Sequence, residues 1–282
     1  MMSFSEDRHS RGLHRKMVRR AGKQDQIVRS EDVQRDMETI VYGNVQGAAL
    51  LADIAAPKKG GKLPLVMSIH GGRWYYGTRR DTGSIDVAQW ADLGFFAMSI
   101  DYRLVTCTPA PAPYQDMLCA LRWVHANAQE HNIDRDRIFL LGMSCGGHMA
   151  SLHATLGEGK FAKTGGWDDY PSTFRAAICA SGAYDLVRLD WGAGWVPPGE
   201  PFPDAREYAS PIRHVARDNR PQLILHSDDD PSIPIEQVLR MVDALKQAGA
   251  PHKFLHYADR GHMFITDDLI EESIKYIHEI SD

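Results

Sequence analysis

Short, continuous apolar segments alternate with helix-spaced segments along most of this 282-residue chain. Three apolar runs, Leu63–Ile69, Phe95–Ile100 and Pro221–His226, have the length and composition of strands that are buried on both faces of a sheet. Between them, Tyr114–Gln129 and Ile235–Ala248 are predicted helices. The alternation predicts an α/β fold with a mainly parallel, twisted sheet and helices on both faces.

Changes in composition indicate where the fold begins and where it is interrupted. Residues 1–36 are polar and charged, and we expect a solvated N-terminal arm there. An arm that packs on a partner subunit or over the active site is the alternative. Residues 37–282 make up the predicted α/β domain. Within it, a stretch rich in Trp, Pro and Gly at about 184–219 is predicted to be a long insertion that shapes the substrate pocket.

The overall charge and the cysteine pattern exclude several classes of function. A net charge of -5 gives no general attraction to nucleic acid or to anionic lipid. No apolar run approaches the ~18 residues of a membrane helix, and the N-terminus lacks the apolar core that is typical of a secretory signal. The four cysteines have no CxxC spacing, and no histidine–carboxylate grouping has zinc spacing. We therefore expect a soluble, cytoplasmic protein without a metal site. A homodimer is one option for its oligomeric state.

A Gly-Met-Ser-Cys-Gly segment at residues 142–146 lies between a predicted strand, Ile138–Leu141, and a predicted helix, Met149–Leu156. A sharp turn between such elements forces its serine into a strained backbone conformation, and glycines two residues away relieve the crowding. The serine oxygen then stands at the carboxyl edge of the sheet, where open α/β sheets place their sites. The segment predicts Ser144 as a nucleophile, with an ordinary strand-to-helix turn as the alternative.

A serine hydroxyl needs a base within hydrogen-bond reach, and histidine has a suitable pKa. His262 follows the last predicted strand, Lys253–Tyr257, and a loop residue there can reach back across the sheet edge. We therefore expect His262 to be the base. His226, at the end of an earlier strand, is the competing candidate.

Three adjacent aspartates follow the strand that ends at His226, so composition alone cannot assign the acid that orients the base. We choose Asp230 as the acid, because the Asp-x-x-Ile-Pro arrangement places it at the apex of the loop. A helix that starts at a proline follows this loop. Asp228 is the second candidate. Three solvated loop acids without a catalytic role are the alternative.

The segment His-Gly-Gly-Arg-Trp at residues 70–74 follows the strand Leu63–Ile69. Acyl transfer develops negative charge on a carbonyl oxygen, and glycines let backbone N–H groups approach that oxygen. The N–H of Cys145, directly after the nucleophile, is a second predicted donor. The thiol of Cys145 is expected to be incidental, and a plain glycine turn is the alternative for the segment.

Large aromatic residues are the predicted lining of the substrate pocket. They are Trp74, Trp191 and Trp195. Bulk there would favour short acyl groups such as acetyl, and aromatic faces could stack on a sugar ring or on an aromatic acyl group. In the alternative, the two tryptophans of the insertion only anchor it.

These motifs together resemble the α/β-hydrolase superfamily. More narrowly, they resemble the acetyl-xylan and feruloyl esterase-like (BD-FAE-like) carboxylesterases, near the hormone-sensitive-lipase-like esterases. The likeness covers about residues 38–280. It is carried by the segments at 70–74, 101–104, 142–148 and 230–234 and by Gly261-His262.

The resemblance implies a nucleophile, Ser144, a base, His262, and an acid, Asp230. It also implies oxyanion donors in the backbone N–H groups of Cys145 and of the Gly72-Arg73 turn, and no metal or organic cofactor.

One position departs from the related esterases. The lipase-like branch usually has a third glycine where this chain has Arg73. That side chain would place a cation at the mouth of the site or would point away into a salt bridge.

The expected function is hydrolysis of short-chain acyl esters through an acyl-enzyme. The expected partner is a small-molecule ester. An acylated sugar and an aromatic ester are among the options. A formamidase or amidase and a serine peptidase of the same fold are the enzymatic alternatives. A catalytically silent binding protein is the alternative from another class.

Overall fold

The computed structural model describes residues 37–58, 61–195 and 202–281, and these form one eight-stranded sheet with helices on both faces. The predicted arm, residues 1–36, lies outside the described residues. The strands are β1 (Glu38–Val45), β2 (Ala48–Ala55), β3 (Leu63–Ile69), β4 (Phe96–Ile100), β5 (Ile133–Met143), β6 (Ala176–Ala180), β7 (Gln222–Ser227) and β8 (His252–Tyr257).

The helices of the described chain follow the strands in alternation. They are α1 (Val87–Asp92), α2 (Ala112–Asn127), α3 (Cys145–Leu156), α4 (Phe202–Tyr208), α5 (Ile235–Ala248) and α6 (Asp267–Ser281). Short 3₁₀ helices at Leu186–Arg188, Asp190–Gly194 and Pro211–His214 lie with α4 in the predicted insertion between β6 and β7. The described part of that insertion is therefore built of short helical turns.

The sheet has the order β1-β2-β4-β3-β5-β6-β7-β8. β2 pairs antiparallel with β1 and with β4, and from β4 to β8 all pairs are parallel. Successive residues of a strand face opposite sides, so Leu140 and Leu141 of β5 belong to two different apolar clusters. One cluster packs α2, α3 and α5 on the sheet, and the other packs α1 and α6.

The predicted α/β class is confirmed, and β3 and α5 occupy the predicted residues. β5 is longer than expected, because it begins at Ile133 instead of Ile138. The charged residues 134–137 hide the strand in the sequence, whereas in the fold Ile133 pairs with Leu63 of β3. Among the described residues, no helix has the length and apolar character to span a membrane.

Parallel strands end at one edge of the sheet, and four of those ends carry the predicted site. β3 runs into the segment 70–74, β5 into Ser144, β7 into the three aspartates and β8 into the loop that holds His262. The topology therefore gathers at one edge residues that are far apart in sequence.

Candidate active site

Ser144 occupies the turn between β5 and α3 in a conformation that side chains rarely adopt. Its φ is 56° and its ψ is -119°, outside the regions that are favourable for a residue with a Cβ. Its N–H donates to the carbonyl of Ala180 at 2.8 Å, which holds the strained residue against β6. Backbone strain of this kind is concentrated at functional sites.

The glycines on either side of Ser144 are required by close backbone contacts. A Cβ on Gly142 would lie 2.2 Å from the carbonyl oxygen of Gly146. A Cβ on Gly146 would lie 2.0 Å from the carbonyl oxygen of Ile69. The steric reason given for the glycine spacing in the sequence is therefore confirmed.

Asp230 and His262 come together through a direct hydrogen bond. The Nδ1 atom of His262 lies 2.8 Å from Oδ2 and 3.0 Å from Oδ1 of Asp230. Oδ1 also accepts the backbone N–H groups of Ser232 at 2.8 Å and of Ile233 at 3.0 Å. The loop therefore fixes the carboxylate, and the carboxylate in turn fixes the imidazole.

Electrostatics keep Asp230 ionised. Burial by itself would raise the pKa of this carboxyl group, but the hydrogen bond and charge of His262 oppose it, as do the N–H groups of Ile233 and Ser232. The net result is a pKa below the usual value for an aspartate. With Nδ1–H directed at Asp230, the Nε2 atom of His262 is left to accept a proton.

The competing candidates are held in other interactions. Asp228 bonds to the exposed His256 at 2.5 Å, and Asp229 accepts Ser227 and the N–H of Gly261. His226 is buried, and its Nε2 donates to the carbonyl of Ile233 at 3.0 Å. Burial lowers the pKa of His226, so this imidazole is neutral behind the acid.

Ser144 and His262 line the same cavity, which has a volume of about 300 Å³. Within the described part of the chain the Ser144 hydroxyl forms no hydrogen bond, so its contact with His262 is not made in this conformation. Such bonds are often long in a free enzyme and shorten in the reacting complex. The shared cavity leaves both groups accessible to one substrate.

The segment after β3 is a tight loop beside Ser144. Gly72, Arg73 and Trp74 all have positive φ, at 116°, 54° and 66°. The ring of His70 donates from Nδ1 to the carbonyl of Gly71 at 2.6 Å and stacks on Tyr102 with the ring centroids 4.1 Å apart. His70 therefore supports the loop through its hydrogen bond to the backbone and its stacking on Tyr102.

The residues predicted to supply oxyanion donors lie beside Ser144. Gly72 and Arg73 line the cavity with it, and a Cβ on Gly71 would lie 3.3 Å from the Ser144 Cβ. Cys145 is the first residue of α3, and the first N–H groups of a helix have no acceptor within the helix. They also carry the positive end of its dipole. The arrangement can therefore stabilise a negatively charged oxygen next to Ser144.

The side chain of Cys145 has a structural role, which corrects the expectation that it is incidental. Its Sγ accepts the backbone N–H of Trp74 at 3.3 Å and lies 3.5 Å from the hydroxyl of Tyr102. Burial raises the pKa of the thiol to about 11, so it stays protonated near neutral pH. The thiol therefore ties the loop after β3 to the nucleophile turn.

The tryptophans expected in the pocket require a second correction. Trp74 and Trp195 have no exposed surface, and their ring centroids lie 5.4 Å apart against the buried His148. They pack behind the loop because large apolar rings are most stable away from water. Trp191 is partly buried, and its indole N–H donates to the carbonyl of Ser232 at 3.2 Å.

The wall of the described cavity consists mainly of residues that sequence reasoning did not select. They are Gly71, Tyr76, Gly77, Asp81, Thr82, Gly83, Met143, Ser232 and Phe264. Met143 and Phe264 lie within two residues of Ser144 and His262 in sequence, and that proximity could have identified them. Gly71 and Ser232 lie within the segments 70–74 and 230–234, and no sequence signal marks the others. Among the described residues, no group of His, Cys, Asp and Glu is suited to hold a metal ion.

The sequence is similar to a known protein family and to curated relatives. The BD-FAE family model matches residues 52–245. A probable carboxylic ester hydrolase, LipM of Mycobacterium tuberculosis (strain ATCC 25618 / H37Rv), is 30% identical over 199 residues, which cover 66% of this chain and 46% of LipM. The chain spans about half the length of the curated relatives it matches.

Solved structures of esterases have the same fold. A truncated carbohydrate esterase from gut microbiota superposes with a TM-score of 0.76 at 24% identity, over 88% of this chain and 98% of that one. The propionate-bound esterase Est2 of the Planctomycetes species Thermogutta terrifontis gives 0.74 at 23% identity, over 86% and 94%. The chain therefore has the α/β-hydrolase fold.

Proposed function

The chain belongs to the BD-FAE family, and from this premise we propose that it is a serine hydrolase that cleaves carboxylic esters with short acyl groups. The observation that carries the proposal is the meeting of two parts at one cavity. One part is Ser144 on its strained turn, and the other is the hydrogen-bonded pair of His262 and Asp230.

In the proposed mechanism, Nε2 of His262 takes the proton of Ser144 as the serine oxygen attacks the ester carbonyl. Asp230 holds the imidazole and stabilises the imidazolium that forms. The tetrahedral intermediate then collapses, and the alcohol leaves with the proton from His262. A water molecule then attacks the carbonyl of the acyl-enzyme in the same way, and the carboxylic acid is released.

Oxyanion stabilisation comes from the two sides of the nucleophile. The N–H of Cys145 and an N–H of the Gly72-Arg73 turn would donate to the carbonyl oxygen as it becomes negative. Removing one such donor typically costs about 3–4 kcal/mol of transition-state stabilisation. Because the loop and the helix start are fixed before substrate binds, little reorganisation accompanies the reaction.

The size of the cavity supports the short acyl group. Its volume of about 300 Å³ lies at the lower end of the range usual for small-molecule sites. Est2 of Thermogutta terrifontis, which this chain resembles in fold, has been solved with propionate and with butyrate. A series of 4-nitrophenyl esters tests this point, with C2 to C4 expected to react faster than C8 to C12.

The decisive assay is hydrolysis of 4-nitrophenyl acetate by the wild type, Ser144→Ala and a control variant, Ser281→Ala. We expect Ser144→Ala to lose at least about 10³-fold in kcat/KM, because the acyl-enzyme cannot form. Ser281 lies at the end of α6, so its variant should keep the wild-type rate. Equal rates for wild type and Ser144→Ala would contradict the proposal. Parallel assays with 4-nitroacetanilide distinguish an amidase.

A further inference from the structure

Arg73 lines the cavity that also contains Ser144 and His262, and its guanidinium reaches Ser232 in the same wall. Within the described residues, no carboxylate lies within 4.0 Å of this guanidinium. Other arginines of the described chain, such as Arg103 and Arg240, pair with aspartates at 2.7 and 2.9 Å. Among the carboxylates that the structure describes, none pairs with Arg73, which is thus a cation in the wall of the site.

The guanidinium is held in place by two neutral groups. Its carbon lies 5.6 Å from the ring centroid of Trp191, and its Nη2 donates to the hydroxyl of Ser232 at 3.3 Å. The indole N–H of Trp191 donates to the carbonyl of Ser232, which connects both supports. Since a guanidinium has five N–H donors, several remain for a ligand.

Backbone strain indicates that the arginine side chain has a use at this position. The φ of Arg73 is 54°, a conformation that is strained for a residue with a Cβ and readily adopted by glycine. Glycine would therefore fit the loop better. An observed strained residue in a site supports a functional hypothesis.

Other charges in the site do not neutralise Arg73. Asp81 also lines the cavity, and its Oδ2 accepts the N–H of Thr78 at 2.7 Å. It lies beyond ion-pair distance from Arg73. The carboxylate of Asp230 is hydrogen-bonded to His262. An anionic group of a ligand would bind on the side of Arg73 and Ser232, away from Asp81.

We propose that the natural substrate is an ester that also carries a carboxylate, and that this carboxylate binds to Arg73 while Ser144 attacks the ester carbonyl. The planar fork of a guanidinium matches a carboxylate with two parallel hydrogen bonds. This inference rests on the proposed function and specifies its substrate. The carboxylate can belong to the acyl part or to the alcohol part of the ester.

Two matched pairs of esters distinguish these sources. Mono-4-nitrophenyl glutarate and 4-nitrophenyl butyrate differ in a charge on the acyl side. 4-Acetoxybenzoate and its methyl ester differ in a charge on the alcohol side. For the wild type, we expect kcat/KM to favour the anionic ester at least tenfold in one pair. That preference should weaken as ionic strength rises, because salt screens accessible charges.

The variants are Arg73→Gln, Arg73→Lys and, as a control for net charge, Arg188→Gln, which lies outside the cavity. The measured quantity is the anionic-to-neutral ratio within each variant, so a general effect on the loop cancels. Arg73→Gln should lower the ratio about tenfold, Arg73→Lys should retain part of it, and Arg188→Gln should leave it unchanged.

A wild type that hydrolyses the neutral esters better in both pairs would overturn the inference, as would an equal ratio in Arg73→Gln. Either result leaves the proposed function intact, provided that Ser144→Ala abolishes hydrolysis of the neutral esters. If hydrolysis of all four esters is absent or independent of Ser144, the proposed function itself fails.

Discussion

At the scale of single residues, the carboxylate of Asp230 determines how His262 is oriented. It accepts Nδ1–H of the imidazole and two backbone N–H groups of its own loop. The adjacent Asp228 makes its contact on the exposed side of the sheet edge, with His256. Of these two aspartates, only Asp230 has a role in the proposed mechanism.

We predict that Asp230→Asn lowers kcat for 4-nitrophenyl acetate by about 10³- to 10⁴-fold, because an amide would favour the wrong tautomer of His262. Asp228→Asn is the matched control, and its kcat should change less than about threefold. Steady-state kinetics at neutral pH measure both. A larger loss in Asp228→Asn would reverse the assignment of the acid.

Cys145 gives a second prediction at this scale. Cys145→Ala leaves the N–H of Trp74 without its acceptor, which loosens the loop that carries the oxyanion donors. We expect kcat to fall about tenfold with little change in KM. Cys145→Ser keeps an acceptor and should retain more of the activity. An alanine variant with wild-type kcat would show that the thiol does not position the loop.

Sequence reasoning reached the strained turn at Ser144 because its steric requirements are local. The base follows from chain order, whereas the choice among three aspartates depended on an assumed loop shape. The burial of Trp74 and Trp195 could not be predicted, because composition does not tell which face of a loop meets the core. The hydrogen-bond partners of the Cys145 thiol belong to residues that are 71 and 43 positions away along the chain. The sequence does not reveal these contacts.

At the scale of elements, Asp53 of β2 connects the antiparallel edge of the sheet to the loop after β3. It accepts the hydroxyl of Thr39 on β1 at 2.6 Å and pairs with Arg79 and Arg80 at 2.9 and 2.5 Å. Burial alone would raise the pKa of Asp53. The contacts of Arg80, Thr39 and Arg79 outweigh it and lower the pKa to about 2.

Asp53→Asn should lower the free energy of unfolding by about 2–3 kcal/mol at pH 7, because two arginines lose their buried partner. The carboxylate stabilises the folded state fully above its ordinary pKa of 3.8, and this contribution is lost as pH falls through about 2. The difference between wild type and variant should therefore stay constant from pH 7 to 5 and shrink near pH 3.

Urea unfolding at these pH values measures the difference, with the exposed Asp136→Asn as the control. A difference that grows on acidification would contradict the assigned role of Asp53.

The elements themselves were predicted well where apolar residues are continuous, as in β3 and α5. The start of β5 was not, because pairing with β3 places a charged segment in the sheet.

At the scale of the whole molecule, the proposed site is assembled from segments that follow β3, β5, β7 and β8 and from the Trp191 segment between β6 and β7. In the proposed mechanism, each segment would contribute one function: oxyanion donors, nucleophile, acid, base and support of Arg73. The fold creates the site by ending parallel strands at one edge. Family membership and fold follow from the comparisons, while the chemistry rests on these contacts.

The most direct measurement is a crystal structure after reaction with a serine-directed phosphonate. Our account predicts a covalent bond to Oγ of Ser144, with the phosphoryl oxygen within hydrogen-bond distance of the Cys145 N–H and of an N–H in the Gly72-Arg73 turn. His262 should lie within hydrogen-bond distance of the Ser144 oxygen. A reagent bound to another residue, or an imidazole that remains out of reach of the adduct, would contradict it.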